Sequence, residues 1–242
     1  MSKMISFKNI KVTGDIHNEF NRLLWFQNNK NISENELLIF TGDCWLFTSP
    51  ENSQLLDDIS STIAYTIAFV DGNHEHFGNL NSFPIEEYWG GKVHFLRRKN
   101  IIHLMRGQVY SIPVQNETRK IFTFGGGNSV DKEGRIEGRT WFPEEMPNEE
   151  EYNEAWINLE KHNNCVDYIM THTCCTEALE NLKRYLHRRY GFEEFYLNDF
   201  LQKTHLKCQY KHWYFGHMHL SEIQKVPELN QTCLYDGIIT LE

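Results

Sequence analysis

Three times in the first 75 residues an apolar run ends in a polar corner that carries glycine: IKVTGDIH, LLIFTGD and TIAFVDGNHE. Short continuous apolar runs of this kind predict strands buried on both faces, since a strand with one wet face alternates apolar and polar residues. Between the first two runs, NEFNRLLWFQNNK sets Phe20, Leu23, Leu24 and Trp25 near helical spacing. Between the second and third, SPENSQLLDDIS has Pro50 near a helix start and Leu55, Leu56 and Ile59 on one side. The order is β-α-β-α-β, which favours parallel strands joined by right-handed crossovers. In open α/β sheets, ligands bind beyond the carboxyl ends of the strands. All three corners fall there, so Asp15 and His17, Asp43, and Asn73 and His74 are expected along one edge of one sheet.

Further on, KVHFL, IIHLMRGQVYSI and KIFTFGGG predict shorter strands joined by turns. The polar stretch from Gly125 to about Glu150 holds three consecutive glycines, Pro143 and Pro147. Loops of that length inside a compact domain are usually functional or disordered, and an active-site flap is the expectation. From Glu149 to Asn163, Tyr152, Ala155, Trp156 and Leu159 share one helical face. VDYIMTH predicts a buried strand ending at His172, and HWYFGHMH another ending in histidines. The segment TEALENLKRYLHRRYGFEEFYLNDFLQKTH between them supports two helices broken near Gly191. SEIQKV, TCLYD and IITL are short strand-like runs. Without repeats, low-complexity segments or a clear linker, residues 1–242 are expected to form one domain.

Net charge and cysteine spacing narrow the function. A formal charge of −9 gives no global basic footprint for nucleic acid. The basic runs Arg97–Lys99, Arg135–Arg139 and Lys183–Arg189 are expected to be solvated faces. The sequence lacks an apolar span of membrane length and a secretory signal at its start, so a cytoplasmic location and no membrane partner are expected. Its six cysteines form no CxxC pair, against zinc-ribbon and thioredoxin chemistry. They are expected to be reduced and mostly buried, Cys174 and Cys175 among them.

Five strand ends thus carry metal-type side chains: D-x-H at 15–17, G-D at 42–43, G-N-H-E at 72–75, T-H at 171–172 and G-H-x-H at 216–219. One such match is common by chance, whereas five in order point to a dinuclear metal site. In a strand or extended corner, residues i and i+2 share a side. Asp15 and His17 can then grip one ion, and His217 and His219 can divide between two. Asp43 has two carboxylate oxygens with which to bridge both. Asn73 offers a neutral oxygen, which limits the negative charge of the site. Two divalent ions are expected, with mixed imidazole and carboxylate ligands suiting Mn first, then Fe, Zn or Ni, over Ca or Mg.

The ordered set resembles the calcineurin-like metallophosphoesterase superfamily over residues 15 to 219. The stretch FGGGNSVDKEGR…TWFPEE is similar to its small bacterial and phage members. The resemblance implies an α/β fold of two mixed β-sheets packed as a sandwich and flanked by α-helices. It implies that Asp15, His17, Asp43 and His219 hold one metal and that Asp43, Asn73, His172 and His217 hold the other. It also makes His74 the residue that contacts the phosphate and aids leaving-group departure. Hydroxide bridging the two ions would attack phosphorus in line. Asp71 or Glu75, with Glu75 preferred, is expected to orient His74.

Substrate choice is less legible. No arginine follows Asp43 within fifteen residues. Serine/threonine protein phosphatases of this superfamily use one there as a bidentate phosphate partner. Phosphodiester hydrolysis of a nucleotide, cyclic nucleotide or nucleic-acid end is therefore expected first. Arg135, Arg139 and Trp141 of the flap would supply charge and stacking. Trp45, Leu46 and Phe47 are either a wall for the organic part of the substrate or core packing. A phosphomonoesterase is the second expectation, and a catalytically inactive metal-binding scaffold the third. His76, His94, His103 and His212 are expected to be structural.

Overall fold

In the computed structural model, which describes residues 6–30, 32–97, 99–183, 185–186, 195–220 and 223–242, the apolar run ELLIF is buried on both faces. Leu38 and Phe40 face one apolar layer, Leu37 and Ile39 another. The chain runs through β1 (Asn9–Thr13), α1 (Phe20–Asn29), β2 (Glu36–Phe40), the single turn α2 (Trp45–Thr48), α3 (Ser53–Thr62), β3 (Thr66–Phe69) and α4 (Phe77–Leu80). A run of strands follows: β4 (Ile85–Tyr88), β5 (Gly91–Phe95), β6 (Ile101–Leu104), β7 (Gln108–Val114) and β8 (Glu117–Phe124). After the 125–148 segment come α5 (Glu149–Lys161), β9 (Tyr168–Thr171), α6 (Thr176–Leu182), α7 (Phe195–Lys207) and β10 (His212–Phe215). β11 (Gln224–Val226), β12 (Gln231–Cys233) and β13 (Ile238–Thr240) complete the set. The expected helix break near Gly191 lies outside the described residues, as do Arg98, Arg184 and His187 to Arg189 of the basic runs.

The strands form two mixed sheets. Among the described residues one has seven strands in the order β13-β1-β2-β3-β6-β5-β4, the other six in the order β11-β12-β10-β9-β8-β7. Each is built on a four-strand parallel block: β1, β2, β3 and β6 in the first, and β12, β10, β9 and β8 in the second. Antiparallel strands flank both blocks. Val12, Ile39 and Ala68 of the first sheet share one core with Ile112, Ile121 and Met170 of the second. Leu23, Phe26 and Ile59 of α1 and α3 cover the outer face of the first sheet. Ala155, Ala178 and Leu201 of α5, α6 and α7 cover that of the second. This is the expected α/β sandwich. β4 is an addition to the sequence reading, because IEEY is a largely exposed edge strand without apolar alternation.

Helix α5 begins where the pattern places it, and its start is capped. The Asn148 side chain accepts from the Glu151 backbone N–H at 3.0 Å, and the Glu151 carboxylate accepts from the Asn148 N–H at 2.8 Å. This reciprocal cap satisfies two donors that the helix leaves unpaired.

Glu151 also takes part in a buried clamp centred on Arg106, which nothing in the sequence singles out. The Arg106 guanidinium meets Asp71 through Nε at 2.8 Å and Nη2 at 2.6 Å. It reaches Glu151 at 3.1 Å and donates to the backbone carbonyls of Glu144 at 2.9 Å and Glu145 at 3.3 Å. One side chain from the β6–β7 turn therefore ties the corner after β3 to the end of the long loop and to α5. Burial alone would raise the Asp71 carboxyl, but Arg106 and His103 hold it well below the usual carboxylate range. Replacing one member of a buried pair strands the other charge. Arg106→Met is therefore expected to lose about 3–5 kcal/mol in urea unfolding at neutral pH. The deficit should be full above the ordinary aspartate value of 3.8 and shrink as the pH falls below it.

Candidate metal centre

The two parallel blocks bring the carboxyl ends of β1, β2 and β3 against those of β9 and β10. His172 Nδ1 meets the Thr41 carbonyl at 2.8 Å, and the Gly216 N–H donates to the His172 carbonyl at 2.9 Å. The His217 N–H donates to Asp15 at 3.1 Å. The side chains do not converge through extended corners, as the i, i+2 argument expects. His17, Asp43, His217 and His219 have φ of 50°, 51°, 68° and 46°, in the left-handed region. Histidine and aspartate enter that region more readily than most residues, and strained backbone of this kind clusters at functional sites. The left-handed corners turn each side chain inward rather than along its strand.

Two glycines make room for the convergence. A Cβ on Gly42, whose φ is +120°, would lie 2.1 Å from His172 Nδ1. One on Gly216 would lie 2.0 Å from Asp15 Oδ1.

The structure brings all seven sequence-derived residues into two adjoining groups that share Asp43. In one, ligand atoms of Asp15, His17, Asp43 and His219 lie within 4.8 Å of one another. His219 Nε2 is 3.1 Å from Asp15 Oδ2 and 3.0 Å from His17 Nε2. In the other, His172 Nε2 is 3.0 Å from Asn73 Oδ1 and 3.3 Å from Asp43 Oδ1. The His172 and His217 rings lie 4.7 Å apart there.

The donor set fits divalent cations. Because His172 Nδ1 faces a carbonyl, that nitrogen carries the proton in the neutral ring, and the Nε2 lone pair then points at two oxygen acceptors. Three lone pairs converging without a donor between them repel, and a cation among them reverses the sign. Asp43 Oδ2 is buried and accepts no hydrogen bond, as a ligand oxygen would. Burial would raise the Asp43 carboxyl, yet His172, His74, His17 and His217, in their protonated forms, hold it well below its ordinary range. At His219 burial would lower the imidazole, but Asp15 outweighs it and raises the pKa above 6.5. A proton thus competes for the place a metal would take.

His74 lies beside this cluster, its N–H donating to Asp43 Oδ1 at 2.8 Å. Its ring meets Arg135 from the 125–148 segment, with Nδ1 2.8 Å from Nη1 and Nε2 3.2 Å from Nη2. Arg135 is ion-paired with Asp131 at 2.7 Å. Burial lowers the His74 pKa from 6.5, and Arg135 adds to this against the pull of Asp43. Neither Glu75 nor Asp71 orients His74. The Glu75 carboxyl, raised chiefly by burial, accepts from the backbone of Cys44 at 2.7 Å and Gly72 at 3.0 Å and from the Thr48 hydroxyl at 3.0 Å. It holds the metal-corner loops together instead.

Leu46 and Phe47 are wholly buried in the core of the first sheet, and Trp45 packs on His76. These residues are core rather than substrate wall. The cavity over the cluster, about 560 Å³, is bounded by Asn73, His74, His217 and His219, with Val130, Met218 and Leu220 among its apolar residues. His76 caps α4 by accepting from the Asn79 N–H. His94 pairs with His103, and His212 with Thr232, so each has a structural partner. Cys174 and Cys175 are buried.

A family model described as calcineurin-like phosphoesterase matches residues 8–221. No curated protein matches the chain. Among solved structures, the phosphopantetheinyl hydrolase of Mycobacterium tuberculosis is similar, with a TM-score of 0.53 at 16% identity over 96% of this chain and 91% of that one. At that identity the likeness is one of fold. A cold-active protein tyrosine phosphatase gives a TM-score of 0.38 at 14% identity, over 99% of this chain and 75% of that one.

The Gly42 cradle can be tested directly. Gly42→Ala is expected to lose at least about 1–3 kcal/mol from backbone strain alone. Displacement of the His172 ring should also weaken metal uptake in calorimetric titration, and a variant with unchanged melting and metal binding would contradict the geometry.

Proposed function

The chain belongs to the calcineurin-like phosphoesterase family, and from that premise we propose that it hydrolyses phosphodiesters of nucleotide type at a dinuclear metal centre. Members of the family act on phosphoesters with a pair of metal ions. Asp15, His17, Asp43 and His219 would hold one ion, and Asp43, Asn73, His172 and His217 the other. Imidazole and carboxylate donors of this kind favour Mn over Mg. Bound there, the ions would supply Lewis-acid charge and lower the pKa of a water molecule.

The chain's own residues supply the rest. His74 is tethered through its backbone N–H to Asp43, and burial lowers its pKa, which favours the neutral imidazole. A neutral imidazole can donate one N–H to the oxygen of a leaving group, and its position beside the centre suits that task. Arg135 presents a guanidinium fork next to it, a geometry that matches two phosphoryl oxygens.

The observation that carries the diester reading is how little free positive charge these residues bring. Arg135 is ion-paired with Asp131, and burial lowers the His74 pKa from 6.5. The cavity wall adds Asp131 and no lysine or arginine among the described residues. A diester carries one negative charge and a monoester dianion two, so the monoanion is the better match. Val130, Met218 and Leu220 give the organic part of the ester an apolar surface suited to a base or sugar ring. One observation favours the second reading, a phosphomonoesterase: Arg135 reaches the site in place of the arginine that is missing after Asp43.

Metal-reconstituted protein assayed with bis-p-nitrophenyl phosphate and p-nitrophenyl phosphate distinguishes the two. The diester should be the faster substrate in kcat/KM, and the reverse order would establish the monoesterase. His74→Ala should keep both metals and lose about 100- to 10,000-fold in kcat. Asp43→Ala should lose metal occupancy, and retention of two ions with full activity would overturn the assignment of the centre.

A further inference from the structure

Asn73 is the one proposed ligand whose oxygen and nitrogen are nearly isosteric, so its function depends on which way its amide points. A carboxamide turned by half a rotation would aim N–H donors at the place of a cation. The structure contains a device that forbids this. Asn73 Nδ2 donates to Ser129 Oγ at 3.1 Å, while Ser129 Oγ donates to Glu145 Oε2 at 2.6 Å. The Ser129 backbone N–H donates to the other carboxylate oxygen, Oε1, at 2.9 Å. Ser129 and Glu145 are both 1% exposed.

The direction of this chain follows from counting hydrogens. A carboxylate only accepts, so the single hydroxyl hydrogen of Ser129 is committed to Glu145. Ser129 Oγ is left with lone pairs alone, and the group facing it must be a donor. Asn73 therefore turns its NH2 toward Ser129 and its Oδ1 toward His172 Nε2, 3.0 Å away.

Glu145 itself is held firmly. The Gly127 N–H and Arg106 both donate to its backbone carbonyl, at 3.1 Å and 3.3 Å. The Gly126 N–H donates to the Asp71 carbonyl at 2.9 Å. Gly126 has a φ of +93°, and a Cβ there would lie 2.7 Å from the Glu145 carbonyl oxygen. Both ends of the long loop are thus fastened to the corner that carries Asn73.

We infer that Glu145, acting through Ser129, is a positioning residue that fixes the Asn73 carboxamide with its oxygen inward and so sets the affinity of the second metal position. The inference rests on the proposed role of Asn73 as a ligand. Partners of this kind behind a metal ligand typically change affinity 10- to 100-fold when removed.

Glu145→Gln is the sharpest probe because it keeps the shape. A glutamine offers one acceptor where Ser129 needs two, so the hydroxyl is no longer committed and the Asn73 amide can turn. Titration calorimetry of Mn2+ into the metal-stripped full chain should show one site weakened about 10- to 100-fold and the other unchanged. Ser129→Ala, which keeps the backbone bond to Glu145, should do the same and serves if Glu145→Gln does not fold. In an Asn73→Ala background neither change should weaken that site further. Unchanged affinity in both variants, equal weakening of both sites, or an additive loss in the Asn73→Ala background would overturn the relay. If Asn73→Ala alone binds two ions with full affinity, the ligand assignment itself has failed, and the relay with it.

Discussion

Asp43 is a carboxylate sealed into the seam between two sheets, and much of the surrounding structure answers the problem of burying that charge. Little of it is exposed to solvent, and burial alone would drive it toward the neutral form. Four imidazoles from four different strand ends counter that tendency when they carry a proton. Those ends can reach a common point only because each sheet is built on a parallel block with its carboxyl ends on the same side. The same requirement explains the close glycines and left-handed corners. A carboxylate of this kind, surrounded by nitrogen donors and with one oxygen unsatisfied, is most stable with cations beside it.

The corners were legible because chemistry and backbone leave a joint signature: an apolar run, a glycine, then a metal-type side chain. The parallel order of β1, β2 and β3 followed from the same runs. Less visible was how distant segments complete the site. Arg135 is expected on the flap as a source of charge, but its contact with His74 across 61 residues depends on the fold rather than on a local pattern. Arg106 is not legible at all, since its role depends on three segments meeting. Adjacency to His74 suggests that Glu75 partners it, whereas the tight corner turns the Glu75 carboxylate back toward the Cys44 and Gly72 backbone. The run Trp45-Leu46-Phe47 shows the limit of composition. Apolar residues beside a buried aspartate can serve substrate or core, and only the packing of α2 on the first sheet decides for core. β4 went unread because an exposed edge strand has no buried face to impose a pattern.

The loop from 125 to 148 follows β8, the remaining strand of the second sheet's parallel block on the side of β9. It is therefore another strand-end excursion at the edge where the proposed ligands gather. Its ends are fixed by Arg106, Glu145 and two glycines, while its middle carries Arg135 to His74.

His17 and His219 stand 202 residues apart in the chain and meet at 3.0 Å. A site assembled from such distant pieces has almost no local component. Fragments that contain the first three corners possess aspartates and histidines but no cage, and loop-closure entropy works against a transient one. The centre is thus among the last features to exist as the chain folds, and a growing polypeptide would emerge with its ligands still dispersed. Metal capture would then mark finished molecules, stabilising only those in which both sheets have already met.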